Sequence, residues 1–244
     1  MFITVLDSTS DPMGTALQEY IRKGKASKLR VLSSLFDEDE LPVSLLFRKE
    51  KDMSDIERAA LDLARGHVLD VGAGAGCHTL ALQNKGLEVT AIDISPLSVQ
   101  VQRERGVRDA RLVNLFDPTF AEQYDTILFL MNGSGIIGKL ENMPAFFDKM
   151  KLLLAKGGRI YMDSSDLRYI FENEDGSMDI DLNAAYYGEV DYQMKYRNIA
   201  GPKFDWLYID FETLSYYASE YGFTVTKILE GSHYDYLACI ERQK

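Results

Sequence analysis

The sequence predicts an α/β fold, a mostly parallel sheet with helices on both faces and an antiparallel hairpin at one edge. Three observations predict it. Between residues 66 and 163, short β-rich apolar runs alternate with helical patterns across short turns. The first run, "HVLDV", is followed at once by the glycine-rich stretch "GAGAG". The last two runs, "FTVTKILE" and "YDYLACIER", lie too close together for a parallel return, which needs a crossover of about a dozen residues or more.

Composition bounds the rest. The chain has 244 residues, 46% of them hydrophobic, enough for one domain with an ordinary core. With 27 Lys+Arg against 38 Asp+Glu the formal net charge is −11, which opposes nucleic acid or an anionic membrane as partner. Two cysteines, Cys77 and Cys239, show no CxxC or His spacing, so no disulfide framework or zinc site is expected, and Cys77 reads as a small core hydrophobe. "FENEDGSMDID" fails the calcium-loop pattern, with Phe171 where an acid belongs and Leu182 where the closing Glu belongs. No metal is expected. Without a basic leader or a long apolar span, a cytoplasmic location is expected.

Element by element, residues 1–65 read as an N-terminal helical cap within the same domain. One helix starts at Asp11 and Pro12; another starts at "SDIE", where Ser54 and Glu57 have capping-box spacing. Residues 66–244 form the main unit, with an insertion at 164–209 that is far longer than an ordinary connection. In it, "HVLDV" (67–71) is the first strand, and a helix follows from about Gly76 to Lys85. "LEVTAID" (87–93) is the second strand; Ser95 caps the next helix, with Pro96 at its first position and Gly106 past its end. "ARLVNL" (110–115), "YDTILFLM" (124–131) and "GRIYMD" (158–163) are further strands, and Phe146, Met150 and Leu153 mark a helix between the last two. In the insertion, "VDYQMKYR" (190–197) alternates, "NIAGPK" supplies a turn and "FDWLYID" (204–210) a second strand. Asp210 caps a final helix that Gly222 stops, before the terminal hairpin.

Clustered glycines after a strand let the backbone turn sharply and let a ligand lie against it, at the carboxyl edge where open α/β sheets bind ligands. Dinucleotide sites prefer G-x-G-x-x-G; here Gly72, Gly74 and Gly76 alternate, Cys77 replaces the last glycine, and Asp70 precedes the loop. Asp93 ends the second strand, where a carboxylate can accept from both ribose hydroxyls and would repel the 2′-phosphate of NADP. A helix-capping role for Asp93 is the alternative, but Ser95 is the better cap.

Asp70-x-Gly72-x-Gly74-x-Gly76, with Asp93 and the terminal hairpin, resembles the motifs of class I S-adenosylmethionine-dependent methyltransferases. The resemblance covers roughly residues 66–163 and the terminal hairpin, and it implies a Rossmann-like seven-stranded sheet. It implies that the loop Gly72, Ala73, Gly74 and Gly76 cradles the methionyl part of S-adenosylmethionine with Asp70 near its amino group. It further implies Asp93 on the ribose, Ile94 against the adenine, and Asn114 with Leu115 or Phe116 around the adenine. Met131, Asn132 and Gly133, in "LMNGSG", fall where the family brings donor and acceptor together. That stretch is not the N/D-P-P-Y/F motif of amino-methylating DNA enzymes.

Methyl transfer from a sulfonium is an in-line displacement with an activated donor, so positioning and exclusion of water dominate and a general base is optional. Asp163 and Asp166, in "DSSD", are candidates for base or substrate anchor, with turn formation as the alternative. His78 is a candidate for reaching cofactor or substrate, against a locally bonded helix-start histidine. Arg48 reads either as a ligand of the cofactor carboxylate or as surface. Tyr192, Tyr196, Trp206 and Tyr208 either wall the acceptor pocket or make the hairpin at 186–210 a homodimer contact. The expected function is methylation of a small molecule, with no nucleic-acid or membrane partner. The alternatives are a nicotinamide-dependent oxidoreductase and a non-catalytic S-adenosylmethionine-binding protein.

Overall fold

The computed structural model describes residues 4–173, 175, 177 and 185–243. Helix α1 (Pro12–Lys23) starts where the Asp11 side chain accepts from Gly14 N and stops at Gly24 in left-handed backbone. Strands β1 (Leu29–Ser33) and β2 (Asp39–Leu41) follow. Then comes α2 (Asp55–Leu63), opened by a complete Ser54–Glu57 capping box. The repeating unit runs β3 (His67–Val71), α3 (Cys77–Asn84), β4 (Glu88–Asp93), α4 (Pro96–Glu104), β5 (Asp109–Leu112), β6 (Tyr124–Phe129), α5 (Met143–Leu153) and β7 (Leu154–Ser165). After it come β8 (Glu189–Tyr196), β9 (Ile199–Leu207), α6 (Phe211–Glu220), β10 (Phe223–Glu230) and β11 (Asp235–Arg242).

Seven strands form one sheet in the order β10-β11-β7-β6-β3-β4-β5. The five from β7 to β5 are parallel neighbours, and β11 runs antiparallel to both β7 and β10. Successive side chains on a strand face opposite sides, and the core divides accordingly. Leu69, Ile127 and Ile160 pack with Phe146, Met150 and Leu153 of α5 on one face. Val68, Leu128 and Tyr161 pack with Ile56, Ala60 and Leu61 of α2 and with Cys77 and Leu82 of α3 on the other. Strand order reverses about β3, so the carboxyl ends of β3 and β6 diverge and leave a crevice.

A second sheet, order β2-β1-β8-β9, covers that crevice. The segment expected as a helical cap is therefore only partly helical, since β1 pairs antiparallel with β8 of the insertion over Leu29↔Tyr196 to Ser33↔Tyr192. Charged "DEL" and mixed "LRVLS" carry little strand signal of their own; a partner more than 150 residues away supplies the ladder. Two other boundaries move. The β8–β9 hairpin turns tightly after Tyr196, with Arg197 at φ 51°, so residues 199–203, expected as turn, already belong to β9. Pro202 is tolerated there because β9 is an edge strand. Strand β5 stops at Leu112, so residues 113–115 form a loop, whose Val113 N–H donates to the Asp93 carbonyl.

Among the described residues, no helix is long and apolar enough to cross a membrane, and no group of three or more His, Cys, Asp or Glu has metal-binding placement. Most of the "FENEDGSMDID" stretch lies outside the described residues.

Candidate active-site cleft

The glycine loop owes its composition to its backbone. Gly72, Gly74 and Gly76 have φ of 70°, 55° and 81°, left-handed values that strain any residue with a Cβ. The Gly72 and Ala73 N–H groups both donate to the Ile92 carbonyl, at 2.9 and 3.1 Å, folding the loop over the end of β4. From outside, Gln102 Nε2 holds the Gly74 carbonyl at 2.9 Å and Arg105 holds that of Ala75 at 2.5 Å. Because a peptide is planar and trans, tying the Gly74 oxygen outward turns the Ala75 N–H the other way. Asp70, buried at the end of β3, accepts from Thr79 Oγ1 at 2.5 Å.

Asp93 sits across the loop. Its two oxygens accept from Gly74 N and Ser95 N, each at 2.8 Å. Burial raises its pKa to about 6, with Asp11 and Asp70 adding to the effect and the two amides opposing it. Ser95, not Asp93, caps α4, accepting from Ser98 N at 2.9 Å. The Ser95 hydroxyl donates to Asp11, and Leu6 N donates to the Ile94 carbonyl at 2.9 Å. The N-terminal segment is thus bonded to the loop carrying Asp93 and Ile94. On the neighbouring wall buried Leu115 and half-buried Asn114 and Phe116 all line the cleft, with Asn114 Oδ1 accepting from Phe116 N at 2.8 Å.

After β6 the chain passes through Met131 and Asn132 at φ 68° and 54°, two consecutive left-handed residues with side chains. Asp163 braces this turn, accepting from Asn132 N and Gly133 N at 3.0 Å each, and Ser165 Oγ donates to Asn132 Oδ1 at 2.7 Å. Burial pushes the Asp163 carboxyl up to about 6, against the two amide bonds. Asp163 lines the cleft, but its oxygens hold backbone. Asp166 does not reach the cleft. It caps the following 3-10 turn and bonds Arg168 Nε at 2.5 Å and Tyr187 OH at 2.8 Å, so its candidacy as base or anchor is withdrawn.

His78 and Arg48 meet in one buried cluster. His78 Nε2 lies 2.6 Å from Glu57 Oε1, and the Arg48 guanidinium bonds the same oxygen, while Glu57 Oε2 accepts from Ser54 N at 2.9 Å. Burial would raise the Glu57 carboxyl, but His78, Arg48 and the Ser54 amide outweigh it and hold it at about 2. Burial likewise opposes a charged His78; Cys77, Glu57 and Asp70 outweigh it and raise its pKa. His78 is thereby a locally bonded cation rather than a base. Arg48, with its side chain 5% exposed, is not a surface residue. Glu57, which joins the two, was visible in the sequence only as a capping-box partner.

The outer half of the cleft is walled by the second sheet. Tyr192, Phe204, Trp206 and Tyr208 line it; Tyr196 faces the other way, fully buried, donating to Glu19 at 2.8 Å. Trp206 lies on the backbone of Gly135, where an added Cβ would fall 1.8 Å from the indole Cε2. The whole cleft is about 860 Å³, toward the large end of the roughly 300–1,000 Å³ of small-molecule sites.

Residues 69–160 match a family model described as a methyltransferase domain. A crystal structure of an S-adenosylmethionine-dependent methyltransferase from Bacteroides fragilis, in complex with S-adenosyl-L-homocysteine, is 60% identical, with a TM-score of 0.94 over 99% of this chain and 98% of that one. A demethylmenaquinone methyltransferase of Tropheryma whipplei is 35% identical over 97 residues, 38% of this chain and 39% of that protein. A ubiquinone biosynthesis O-methyltransferase of Xylella fastidiosa is 32% identical over 112 residues, 42% and 43% of the two chains. The chain thus spans about two fifths of the length of these curated relatives.

Proposed function

Because this chain belongs to the class I S-adenosylmethionine-dependent methyltransferases, we propose that it transfers the methyl group of S-adenosylmethionine to a small molecule seated against the Trp206 wall. The observation that carries the reading is the join of a left-handed glycine loop to Asp93 at one end of a cleft large enough for two ligands. The residues fit the donor. A Cβ at Gly72 or Gly74 would be strained and would fill the cradle, and Asp70 supplies an acid for the amino group. The Ala75 N–H would meet the donor's carboxylate, Asp93 would accept from the ribose hydroxyls, and Ile94, Asn114, Leu115 and Phe116 would enclose the adenine. When bound, the donor supplies a methyl group already activated on a sulfonium.

The protein's own contribution is placement. Asp163 fixes the Met131–Gly133 turn where the two ligands meet, and the aromatic wall orients the acceptor and excludes water. At that point the Asp163 oxygens are engaged by two backbone N–H groups, so the acceptor gives up its proton to solvent before transfer. Cys77 and Cys239 are both free and buried, which suits a reducing compartment such as the cytoplasm.

Thermal unfolding tests the proposal. S-adenosylhomocysteine at 100 times its Kd stabilises by about 2.7 kcal/mol, which for a chain of this size raises Tm by roughly 5–10 °C; NADH leaves Tm unchanged. Stabilisation by NADH alone overturns the assignment. Donor binding without methylated product from any of a broad small-molecule panel leaves a binding protein instead of an enzyme.

A further inference from the structure

Resting on the methyltransferase reading, we infer that the acceptor carries a protonatable amine, recognised as a cation between an aromatic wall and an acidic rim. The wall comes from two strands of the second sheet. Phe204 and Trp206 meet edge to face at 5.9 Å and 75°, and Tyr192 and Tyr208 at 6.5 Å and 74°, with Tyr192 6.1 Å from Phe204. Ring faces and edges therefore surround one space, and a ring face attracts a cation.

The rim supplies the charge. Asp37, with Asp39 and Glu40 of β2, and Asp205 on β9 line the same cleft, from the two edges of the second sheet. Lys28 lies 3.0 Å from Glu40 and Lys139 3.6 Å from Asp205, both outside the lining, which leaves Asp37 and Asp39 to set the field. Among the described lining residues there is no lysine; Arg48 and His78 are buried together on Glu57, and His233 is exposed. A carboxylate or phenolate acceptor would meet like charge at this rim; an ammonium is drawn in.

The charge balance of the reaction agrees. The ammonium first gives one proton to water at the exposed rim. The nitrogen lone pair then forms the N–C bond as the C–S bond breaks and its electrons pass to sulfur. One positive charge moves from sulfur to nitrogen and stays inside an acidic cleft throughout. Transfer to an anion would instead bring a negative group past the acidic rim and then cancel the charge.

Trp206 is the chain's single tryptophan, so its emission reports on this wall alone. With the protein saturated in S-adenosylhomocysteine, 2-phenylethylammonium, 2-phenylethanol and 3-phenylpropanoate are titrated against Trp206 emission. The ammonium is expected to bind about tenfold tighter than the alcohol, with the propanoate weakest and the gap narrowing in salt. Asp37→Asn narrows the gap between ammonium and alcohol and leaves S-adenosylhomocysteine affinity unchanged. Equal or tighter binding of the alcohol or propanoate, or no response to the ammonium, overturns the inference while the methyltransferase reading stands. Failure of S-adenosylhomocysteine itself to bind removes that reading.

Discussion

Gly135→Ala separates the two halves of the cleft. Gly135 is buried, and its φ lies outside the left-handed range, so alanine meets no backbone penalty and the effect is steric. The new Cβ would fall 1.8 Å from Trp206 Cε2 and 2.0 Å from Nε1, where carbon contacts normally settle at about 3.5–4.0 Å. The indole must retreat by roughly 1.7–2 Å, and overpacking of this kind costs about 1–3 kcal/mol. At about 2–4 °C per kcal/mol for a chain of this size, Tm falls by roughly 2–12 °C. Trp206 emission shifts with it, and acceptor turnover drops. S-adenosylhomocysteine affinity, measured by calorimetry, stays within about twofold, because the glycine loop and Asp93 stand on other elements. In a Trp206→Leu background the stability cost of Gly135→Ala should largely vanish. Unchanged Tm and emission would refute the seating of the indole on Gly135. A tenfold loss of S-adenosylhomocysteine affinity would refute the independence of the two halves.

Three further outcomes are expected. Glu57→Gln leaves Arg48 and His78 buried without a counter-charge and costs about 3–5 kcal/mol at pH 7 in chemical unfolding. Since the Glu57 pKa is lowered from 4.5 to about 2, its contribution is complete above 4.5 and lost as pH falls toward 2, so the variant should show a shallower acid loss across that window. Asp93, raised from 3.8 to about 6, accepts from both ribose hydroxyls most strongly when ionised, so S-adenosylhomocysteine affinity falls as pH drops through 6; constant affinity from pH 5 to 8 would sink the ribose role. Asp93→Asn should flatten that profile and weaken binding about 10–100-fold. The same substitution points an amide at Gly74 N or Ser95 N in the ligand-free protein, and relief of the buried charge offsets part of that cost at pH 7. Asp163→Asn points an amide at one of the two N–H donors of the Met131–Gly133 turn, costs about 1–3 kcal/mol, and lowers kcat more than donor affinity in steady-state and calorimetric measurements.

What the sequence made legible was local. The caps at Asp11, Ser54, Ser95 and Asp210 each join a side chain to the N–H three residues on, and all four appear where spacing put them. The glycine loop was legible for the same reason, since left-handed φ is a property of single residues. Asp163 and Asp166 stood three apart in "DSSD" and looked equivalent. On an extended chain, residues of opposite parity point to opposite sides. Asp163 and Ser165 turn to the β6 loop while Asp166 turns to Arg168 and Tyr187. Only the β6–β7 register decides which faces the cleft. The Arg48–Glu57–His78 cluster needed three segments brought together, and β1 needed β8 as partner; neither leaves a periodic trace in its own stretch.

This division bears on what relatedness can carry over. The matched methyltransferase region, residues 69–160, contains the glycine loop, Asp93 and the 131–133 turn, whose demands on the chain are mostly backbone demands. Tyr192, Phe204, Trp206, Tyr208 and the rim acids at 37, 39, 40 and 205 all lie outside it, on the sheet built from the N-terminal segment and the insertion. That sheet is also tied to the donor half: Asp11 bonds Ser95, Leu6 bonds Ile94, and Pro12 packs against Gly201 of β9. The covering layer, proposed to set the acceptor by its side chains, therefore rests its first turns on the loop that carries Asp93 and Ile94. The quinone-pathway relatives align over about two fifths of their length, so their acceptors do not transfer to this chain. For acceptor identity, the informative relatives are those that keep the Trp206 wall and the rim acids.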